Sequence, residues 1–447
     1  MKMPLSPKPF KELLAGTGMD AVGRLVSQPL VDTKYLHWDE LRHRTPPAGS
    51  SHEEWWLALK FMRLSGMRHV PLADKSGKPF TFSVPDVVVE QLHQIDRGAG
   101  SLLGVTEPIT NPQTRDRYLA RSLIEEAITS SQLEGAVTTR QVAKEMLNTG
   151  RKPRDRSERM ILNNFLTMKR IIELKDKPLS PTLVLDIHRS VTLEALDKPD
   201  AAGRLRRTDE PVHVVDIEGT VFYTPPDAGE LPGRLEAMCQ FANGKTPEFF
   251  IHPVVRAIIL HFWLAYDHPF VDGNGRTARA LFYWAMLHAG YWLFEFISIS
   301  QVLLKAPVQY AMAFLHTETD ANDLTYFLIH QTEVIRRSIK ELHDYIGRKT
   351  RELGEVGHLL DEIESLNHRQ RALLAHALRH PGSRYTVAEH RGRHGVAYDT
   401  ARTDLLDLAV AGLVEKRKSG KEMVFVPPRN LPDILRKCGR LQNTGGH

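Results

Sequence analysis

The chain has 447 residues, of which 42% are hydrophobic and 25% charged, so we expect a soluble globular protein of two to four domains. Its two cysteines lie far apart, which excludes a disulfide framework and a cysteine-based zinc site and indicates a reducing compartment, the cytoplasm. The net charge of +5 permits contact with nucleic acid without requiring it.

The sequence predicts no association with a membrane. The first ten residues lack the apolar stretch of a signal peptide. The longest apolar run, Ala280 to Leu304, contains His288, Gly290 and Glu295, so we expect it in the protein core.

Residues 1–104 are predicted to form a helical extension of unknown role. Tyr35–Arg44 and Glu53–Lys60 carry three of the six tryptophans and are typical of helices that pack through aromatic rings. Val70–Phe82 is predicted to be a small hairpin. Target docking and a simple extension of the core are equally compatible with this segment.

Helices are then predicted at about 116–135, 138–147, 158–174 and 181–196 from the spacing of their apolar residues. Gly135 is a candidate C-cap of the first. Between about 212 and 226, two β-rich runs around a glycine turn predict a hairpin, with Val215 and Ile217 in its first strand.

The most informative stretch runs from His268 to Arg279, between two predicted helices. The first helix must end before Pro269, because the residue that precedes a proline is disfavoured in helical geometry. Gly273 and Gly275 allow a tight turn and a close approach of the backbone to a ligand. The second helix points its N-terminal N–H groups and its positive dipole end at this loop, which attracts anions.

The side chains of the loop add a chemical pattern. Arg276 and Arg279 lie one helical turn apart and bring two positive charges. Asp272 can hold a hard cation such as Mg²⁺, and His268 is a base at the edge of the pocket. The residues alone therefore predict a metal and polyphosphate site with a general base.

Two other interpretations of the loop are disfavoured. A calcium loop that begins at Asp272 would have Arg276 and Tyr283 at positions that need oxygen ligands. A plain turn between helices would need neither both arginines nor the histidine.

The sequence HPFVDGNGRTAR at 268–279 resembles the motif of the Fic domain family, His-x-Phe-x-(Asp/Glu)-Gly-Asn-Gly-Arg-x-x-Arg, at every position. The usual activity of that family is AMPylation, the transfer of AMP from ATP to a protein hydroxyl. The resemblance implies that His268 takes the proton from a Tyr, Thr or Ser hydroxyl and that Asp272 holds Mg²⁺. It implies nucleotide contacts by Phe270, Gly273, Asn274, Gly275, Arg276, Arg279 (at the γ-phosphate) and Tyr310 (near the adenine).

Upstream, SSQLEG at 130–135 is similar to the inhibitory motif of the same family, (Ser/Thr)-x-x-x-Glu-(Gly/Asn), with Ser130 and Glu134 at the matching positions. The resemblance implies that Glu134 pairs with Arg279 in the place of the γ-phosphate, so that ATP binds weakly or in a non-productive pose. An exposed carboxylate at a helix end is the alternative.

The hairpin at 212–226 is similar to the flap of Fic proteins, which aligns a target segment by main-chain pairing. The resemblance makes Val215 and Ile217 candidates for target docking. A surface hairpin without a partner is the alternative.

After predicted helices at 297–314 and 323–340 and a charged linker helix at 342–366, the composition changes. Three predicted helices and a basic hairpin resemble a winged helix, with Thr400–Leu408 as its recognition helix. The candidates for contact with DNA are Arg402, Lys416, Arg417, Lys418 and Lys421. Winged helices also bind proteins, so both kinds of partner stay open.

The sequence therefore predicts a mainly α fold with a Fic helical core, a β-hairpin flap and a C-terminal winged helix-turn-helix. The predicted divisions are 1–104, 105–345 for the Fic domain, 346–365 for the linker helix, 366–430 for the winged helix and 431–447 for the tail. The predicted function is auto-inhibited, Mg²⁺-dependent AMPylation of a target protein or of the chain itself. Removal of AMP at the same site, a DNA-binding regulator with the Fic core as sensor, and homodimerisation stay open.

Overall fold

A computed structural model describes residues 2–17, 19–27, 34–100, 112–215, 221–363, 365–380, 382–419 and 422–436. The helices are α1 Phe10–Gly16, α2 Met19–Ser27, α3 Trp38–Leu41, α4 His52–Leu64, α5 Asp86–Ile95, α6 Pro112–Leu133, α7 Arg140–Thr149, α8 Arg156–Leu174, α9 Pro181–Thr192, α10 Leu231–Ala242, α11 Pro253–Asp267, α12 Asn274–His288, α13 Ile299–Lys305, α14 Pro307–Thr319, α15 Thr325–Glu362, α16 His368–Arg379, α17 Val387–His394 and α18 Tyr398–Val410. The strands are β1 Arg68–Ala73, β2 Pro79–Phe82, β3 Val214–Val215, β4 Val221–Tyr223, β5 Tyr385–Thr386, β6 Glu415–Ser419 and β7 Glu422–Val426. The prediction of a mainly α fold is confirmed.

The chain divides into two compact units. The first contains Met1–Gly104 and Leu119–Lys340, and the second contains Val105–Tyr118 and Glu341–His447. The sequence analysis treats residues 1–104 as a separate extension, whereas this division places them in one unit with most of the predicted Fic domain.

The centre of the first unit is the helix pair α11 and α12. Apart from Arg256, every residue from Val254 to Leu264 is buried, so α11 is hydrophobic on all sides and lies inside the unit. It begins with Pro253 at its first position, where the missing N–H of proline costs nothing. Helices α8 and α9 pack against each other and against α12.

The N-terminal residues join this unit through buried polar contacts. The Tyr35 hydroxyl donates to Asp323 at 2.7 Å, and Lys60 pairs with Asp320 at 3.0 Å. The guanidinium of Arg63 lies over the ring of Tyr35, 3.8 Å from its centroid. The predicted hairpin is present as β1 and β2, paired antiparallel with Arg68 opposite Phe82. Buried polar groups need such partners, so this segment is part of the packed core.

Two predicted helices differ from the structure. The predicted helix at 297–314 is two helices, α13 and α14, because Pro307 keeps Ala306 out of helical geometry. The predicted helix at 323–340 and the predicted linker helix are one helix, α15, which runs from Thr325 to Glu362 without a proline to end it.

The second unit has its own hydrophobic core, formed by α16, α17, α18 and a sheet in the order β5-β7-β6. Its three helices share a buried carboxylate, Asp404 of α18, which accepts hydrogen bonds from Asn367, Arg369 and His390. Burial raises the pKa of Asp404, but these hydrogen bonds outweigh it and lower the pKa to about 2. Its identification as a winged helix stays a prediction.

None of the helices in the described part of the chain has the length and hydrophobicity that a membrane span requires.

Candidate active site

His268 stands at the junction of α11 and the loop that leads to α12. Its backbone is left-handed, with φ +45°, a conformation that a residue other than glycine adopts only when its surroundings hold it. Its Nδ1 lies 3.2 Å from the carbonyl of Ala265, so Nδ1 carries the proton and Nε2 is left as an acceptor. Burial lowers the pKa of His268, and the carboxylates of Glu134 and Asp272 oppose this shift. A neutral imidazole with a free Nε2 is the form that a general base needs.

Asn274 closes the loop on itself. Its side-chain oxygen accepts from the Phe270 N–H at 3.0 Å, and its amide donates to the Phe270 carbonyl at 2.8 Å. Asn274 is predicted to help bind the phosphates, and both polar ends of its side chain are occupied within the loop. Only the main-chain N–H of Asn274 is left for a ligand.

Phe270 also differs from its predicted role. Its ring is fully buried and stacks on the imidazole of His188, with 3.7 Å between the ring centroids. The side chain therefore fixes the loop to α9 and is not exposed to a nucleotide.

His188 completes this contact by two hydrogen bonds. The N–H of Gly203 donates to its Nδ1 at 3.0 Å, so its Nε2 carries the proton and donates to the carbonyl of Asp272 at 2.9 Å. Burial lowers the pKa of His188 to about 4, so the ring is neutral at pH 7.

The start of α12 forms a concave main-chain surface. Gly273 is its N-cap with φ +85°, and a Cβ there would lie 2.6 Å from the Thr192 methyl group. A Cβ on Gly275 would overlap the carboxylate of Glu134. This carboxylate therefore lies against the N-terminal turn of α12, where the helix dipole and the free N–H groups favour an anion.

Glu134 and Arg279 are in contact, as the sequence predicts. Arg279 is 2% exposed, and its Nη2 donates to Glu134 Oε1 at 3.0 Å. Ser130 adds two acceptors, its hydroxyl at 2.8 Å from Nε and its carbonyl at 2.9 Å from Nη2. Burial opposes the charged form of Arg279, but Glu134 outweighs it and the pKa of Arg279 is raised.

Helix α6, which carries Ser130, is fixed to the first unit by a buried carboxylate one turn earlier. Glu126 accepts hydrogen bonds from the hydroxyl groups of Tyr283, Ser298 and Ser300, and from the N–H of Ser300. Four donors on one buried carboxylate compensate its loss of hydration. They also fix the position of α6 along its axis. This position determines where the carboxylate of Glu134, which directly follows the helix, meets Arg279.

Asp272 is the predicted metal ligand, and its side chain is 34% exposed. It pairs with Arg156 at 2.9 Å and with Arg276 at 3.5 Å. Within the described ranges, His, Cys, Asp and Glu side chains nowhere gather in a group of three that could hold a metal ion.

Arg276 was predicted to contact phosphate, but its side chain is fully buried. It donates to the carbonyl of Val191 at 3.1 Å and faces Asp272. Its positive charge stabilises the carboxylate of Asp272, which lies 3.5 Å away. The predicted contribution of Arg276 to phosphate binding stays a prediction.

Tyr310 of α14 lies beside this pocket. Its hydroxyl contacts Nε2 of His261 at 2.8 Å, and Arg279 is among the charges that act on it. Burial raises the pKa of Tyr310 to about 12, so its hydroxyl keeps its proton. This position is compatible with the predicted place near the adenine, which stays a prediction.

The predicted flap is present as β3 and β4, paired antiparallel with Val214 opposite Tyr223. Tyr223 packs on Tyr266, with 4.7 Å between the ring centroids, so the hairpin stands beside the end of α11 and close to His268. Val215 lies in β3, and Ile217 lies outside the described residues. Val221 is 51% exposed on β4.

The candidates for contact with DNA lie in the second unit. Arg402 is exposed on α18, and Lys416, Arg417 and Lys418 are exposed on β6, an edge strand of its sheet. Arg417 pairs with Glu415 at 2.6 Å. Lys421 lies outside the described residues.

The sequence profile of the Fic/DOC family matches residues 178–286, which include α9, β3, β4, α10, α11 and all of α12 except its last two residues. This segment of the chain is therefore similar to a Fic domain. The protein adenylyltransferase Fic of Nematostella vectensis is 38% identical over 108 residues, 24% of this chain and 23% of that protein. Its counterpart in Aedes aegypti is 36% identical over 129 residues, 29% of this chain and 21% of that protein. The chain thus spans about a quarter of the length of the curated relatives it matches.

A solved structure shows the same fold over a larger part of the chain. It is a Fic family protein from Desulfovibrio desulfuricans G20, with a TM-score of 0.53, 18% identity and coverage of 77% of this chain and 97% of that chain. At this identity the likeness concerns the fold alone.

Sequence reasoning missed three residues that hold the Fic loop, namely His188, Arg206 and Arg156. Each contacts the loop from a segment more than 60 residues away. A lone histidine at a helical position and two arginines in charged stretches carry no signal in a single sequence.

The neutral His188 predicts a dependence of stability on pH. The unfolded chain takes up a proton at His188 near pH 6.5, whereas the folded chain does not until about pH 4, so the free energy of unfolding falls as the pH falls through this window. His188→Gln should remove up to about 1.4 kcal/mol per pH unit from that slope. Denaturant titrations at pH 4 to 7 measure it, with His43→Gln at an exposed position as the control. Equal slopes in wild type and His188→Gln would contradict the assignment.

Proposed function

We propose that the chain transfers AMP from ATP to a hydroxyl group of a protein, and that Glu134 inhibits this transfer. The observation that carries the proposal is the carboxylate of Glu134 at the N-terminus of α12, bonded to Arg279. A helix N-terminus with a buried guanidinium is a site for a phosphate group. The relatives named as adenylyltransferases match the chain over this same region.

The residues support the transfer in separate ways. Nε2 of His268 accepts the proton of the target hydroxyl, whose oxygen forms a bond to the α-phosphorus. The bond from that phosphorus to the oxygen that bridges to the β-phosphate breaks, and pyrophosphate leaves. The N–H of Gly273 donates to the carboxylate of Asp272, so the main-chain N–H groups of Asn274 and Gly275 face the charge that develops on the phosphate oxygens, and Arg279 binds the γ-phosphate.

Mg²⁺ fits this site with Asp272 as its one protein ligand. A half-exposed carboxylate at the mouth of an anion pocket is the usual protein contribution to a magnesium ion that is bound mainly by phosphates and water. When bound, the ion would neutralise phosphate charge. Arg156 and Arg276 now provide the positive charge beside this carboxylate.

Inhibition follows from competition between two anions for one cation. Glu134 is 26% exposed at its side chain and can turn away, whereas Arg279 is buried and stays. A γ-phosphate and the Glu134 carboxylate cannot both occupy the space above Gly275. ATP therefore binds in its productive pose only when Glu134 has left Arg279.

The flap would align the target, since the short pair of β3 and β4 lies beside His268 and presents the exposed Val221. Removal of AMP at the same site stays an alternative, because the Glu134 carboxylate could accept a proton from water there. The type of hydroxyl group, homodimerisation and the cytoplasmic location stay predictions.

The expected result with Mg²⁺ and α-labelled ATP is weak self-labelling of the wild type and at least about tenfold stronger labelling of Glu134→Gly, because one charge interaction of about 1.4 kcal/mol or more is removed. Glu134→Gln should also be activated, since it keeps the size of the side chain and loses the charge. Glu134→Asp, which keeps the charge, is the matched control. The labelled band is quantified over time, with and without cell lysate.

Adding His268→Ala to Glu134→Gly should abolish the labelling while ATP binding persists. Absence of labelling in Glu134→Gly, although it binds ATP, would contradict the transferase proposal. Release of AMP from a labelled protein by the wild type would favour the reverse reaction.

We also propose that the second unit binds the phosphate backbone of DNA. The support is a row of exposed cations on the edge strand β6, together with the exposed Arg402 on α18. Phosphate contacts of this kind give binding that weakens steeply with salt.

Lys416→Ala with Lys418→Ala should lower the affinity for a random DNA duplex, and should reduce the slope of log K against log salt by about one for each phosphate that the variant no longer binds. Lys245→Ala, at an exposed position of the first unit, is the control. Fluorescence anisotropy at salt concentrations from about 50 to 200 mM measures both quantities. A slope that does not change in the double variant would exclude the strand β6 as the DNA-binding element.

A further inference from the structure

Arg206 lies in the segment between α9 and the flap and bonds to two functional parts at once. Its Nε donates to the carbonyl of His268 at 3.0 Å, and its Nη2 donates to the carbonyl of Pro226, which follows β4. Its own N–H donates to the carbonyl of Pro269 at 2.9 Å. One residue thus binds the carbonyl groups of His268 and of the next residue, Pro269, and also the segment that follows the flap.

Arg206 is 7% exposed, and in the described part of the chain its guanidinium forms no salt bridge. Burial lowers the pKa of Arg206, and the charges of Asp227, Tyr223 and Asp267 oppose this shift. Arginine stays protonated in proteins, so this is a buried cation whose hydration has been replaced by two carbonyl groups. An apolar side chain would fill the same space without this cost, but it could not connect the two segments.

The segments that it connects are those that need fixed positions. His268 has the left-handed backbone, which requires support from its surroundings. The hairpin of β3 and β4 ends three residues before Pro226, so a bond at Pro226 fixes the point where the flap leaves the core. A change in the flap is therefore transmitted to the backbone of His268 through one rigid, planar group.

We propose that Arg206 is a positioning residue that couples the flap to His268, so that the segment aligned by the flap and the base that deprotonates its hydroxyl keep a fixed relation. This inference rests on the proposed function for its role in the reaction. The coupling itself is a property of the fold and can be measured without turnover.

The neighbouring arginines offer a matched control. Arg204 pairs with Glu210 at 2.8 Å, and Arg207 is exposed and lies 3.5 Å from Asp200. Neither has a hydrogen bond to the loop or to the flap among the described residues. Arg207→Met therefore makes the same change of charge and size in the same segment, without touching the proposed coupling.

The experiment compares Arg206→Met, Arg206→Lys and Arg207→Met in the Glu134→Gly background, by the rate of self-labelling from α-labelled ATP. We expect Arg206→Met to lower the rate on the order of a hundredfold, as misplacement of a reacting group does, with ATP affinity within about twofold of the parent. Lysine can reach one carbonyl but cannot bridge two, so Arg206→Lys should be intermediate. A rate of Arg206→Met within about twofold of Arg207→Met would overturn the proposal.

The pH profile gives a readout that a packing defect would not move. The charged groups that act on His268 are Arg206, which lowers its pKa, and Glu134 and Asp272, which raise it. Arg206→Met removes the cation and so should raise the pKa of His268. The fall of the labelling rate on the acid side of the pH profile should therefore begin at higher pH. Arg206→Lys keeps the charge and should give the profile of the parent. An acid side of the profile that does not move in Arg206→Met would contradict the contact with His268.

Hydrogen exchange followed by mass spectrometry tests the coupling without turnover. In Arg206→Met, peptides that cover 221–226 and 268–270 should both exchange several-fold faster, while peptides of α8 stay unchanged. If the Glu134→Gly parent shows no self-labelling, the transferase proposal has failed. The coupling by Arg206 is then tested by hydrogen exchange alone. Unchanged exchange at either segment overturns the coupling. If Arg206→Met does not fold, Arg206→Lys serves for each measurement.

Discussion

The ion pair between the buried guanidinium of Arg279 and the carboxylate of Glu134 is the interaction on which the rest of the site depends. Removing such a group from water costs several kcal/mol unless an ion pair and hydrogen bonds replace its hydration. Ser130 supplies neutral acceptors, and Glu134 supplies the charge. A nucleotide would supply the same charge through a phosphate. Under the proposed function, the site has two alternative partners for one cation, and the choice between them would decide whether ATP binds productively.

The geometry of the loop at 268–279 depends on hydrogen bonds from several parts of the chain. Asn274 closes the loop from α12, His188 supports it from α9, and Arg206 holds His268 from the segment before the flap. None of the three needs to contact a nucleotide. They keep the base and the helix N-terminus in a fixed relation before substrate arrives, which is the condition for efficient phosphoryl-type transfer.

The amino-acid sequence predicts the parts of this site that are local. The helix, glycine loop and helix follow from hydrophobic spacing and from Pro269, and the spacing of Glu134 from Ser130 brings both to Arg279. The side chains of Phe270, Asn274 and Arg276 are buried and bonded within the protein, and their predicted contacts with a nucleotide stay predictions. Motif membership marks a residue as necessary, but only the packing shows whether it faces the ligand or the interior.

The helix boundaries also show which features can be predicted from local sequence and which cannot. Pro307 divides one predicted helix into α13 and α14, because a proline disfavours helical geometry at the residue before it. The continuity of α15 could not be derived in this way, because a charged stretch is equally typical of an exposed helix and of a linker. The contacts of residues 1–104 with Asp320 and Asp323 join positions more than 250 apart, which no local pattern reveals.

Isothermal titration of ATP and of AMP into wild type and Glu134→Gly, both carrying His268→Ala to prevent turnover, tests most directly whether Glu134 occupies the place of the γ-phosphate. AMP lacks the phosphate with which Glu134 would compete. The account predicts that Glu134→Gly binds ATP at least about tenfold more tightly, a gain of roughly 1.4 kcal/mol, while its affinity for AMP changes little. Equal changes for both nucleotides, or no change for ATP, would contradict it.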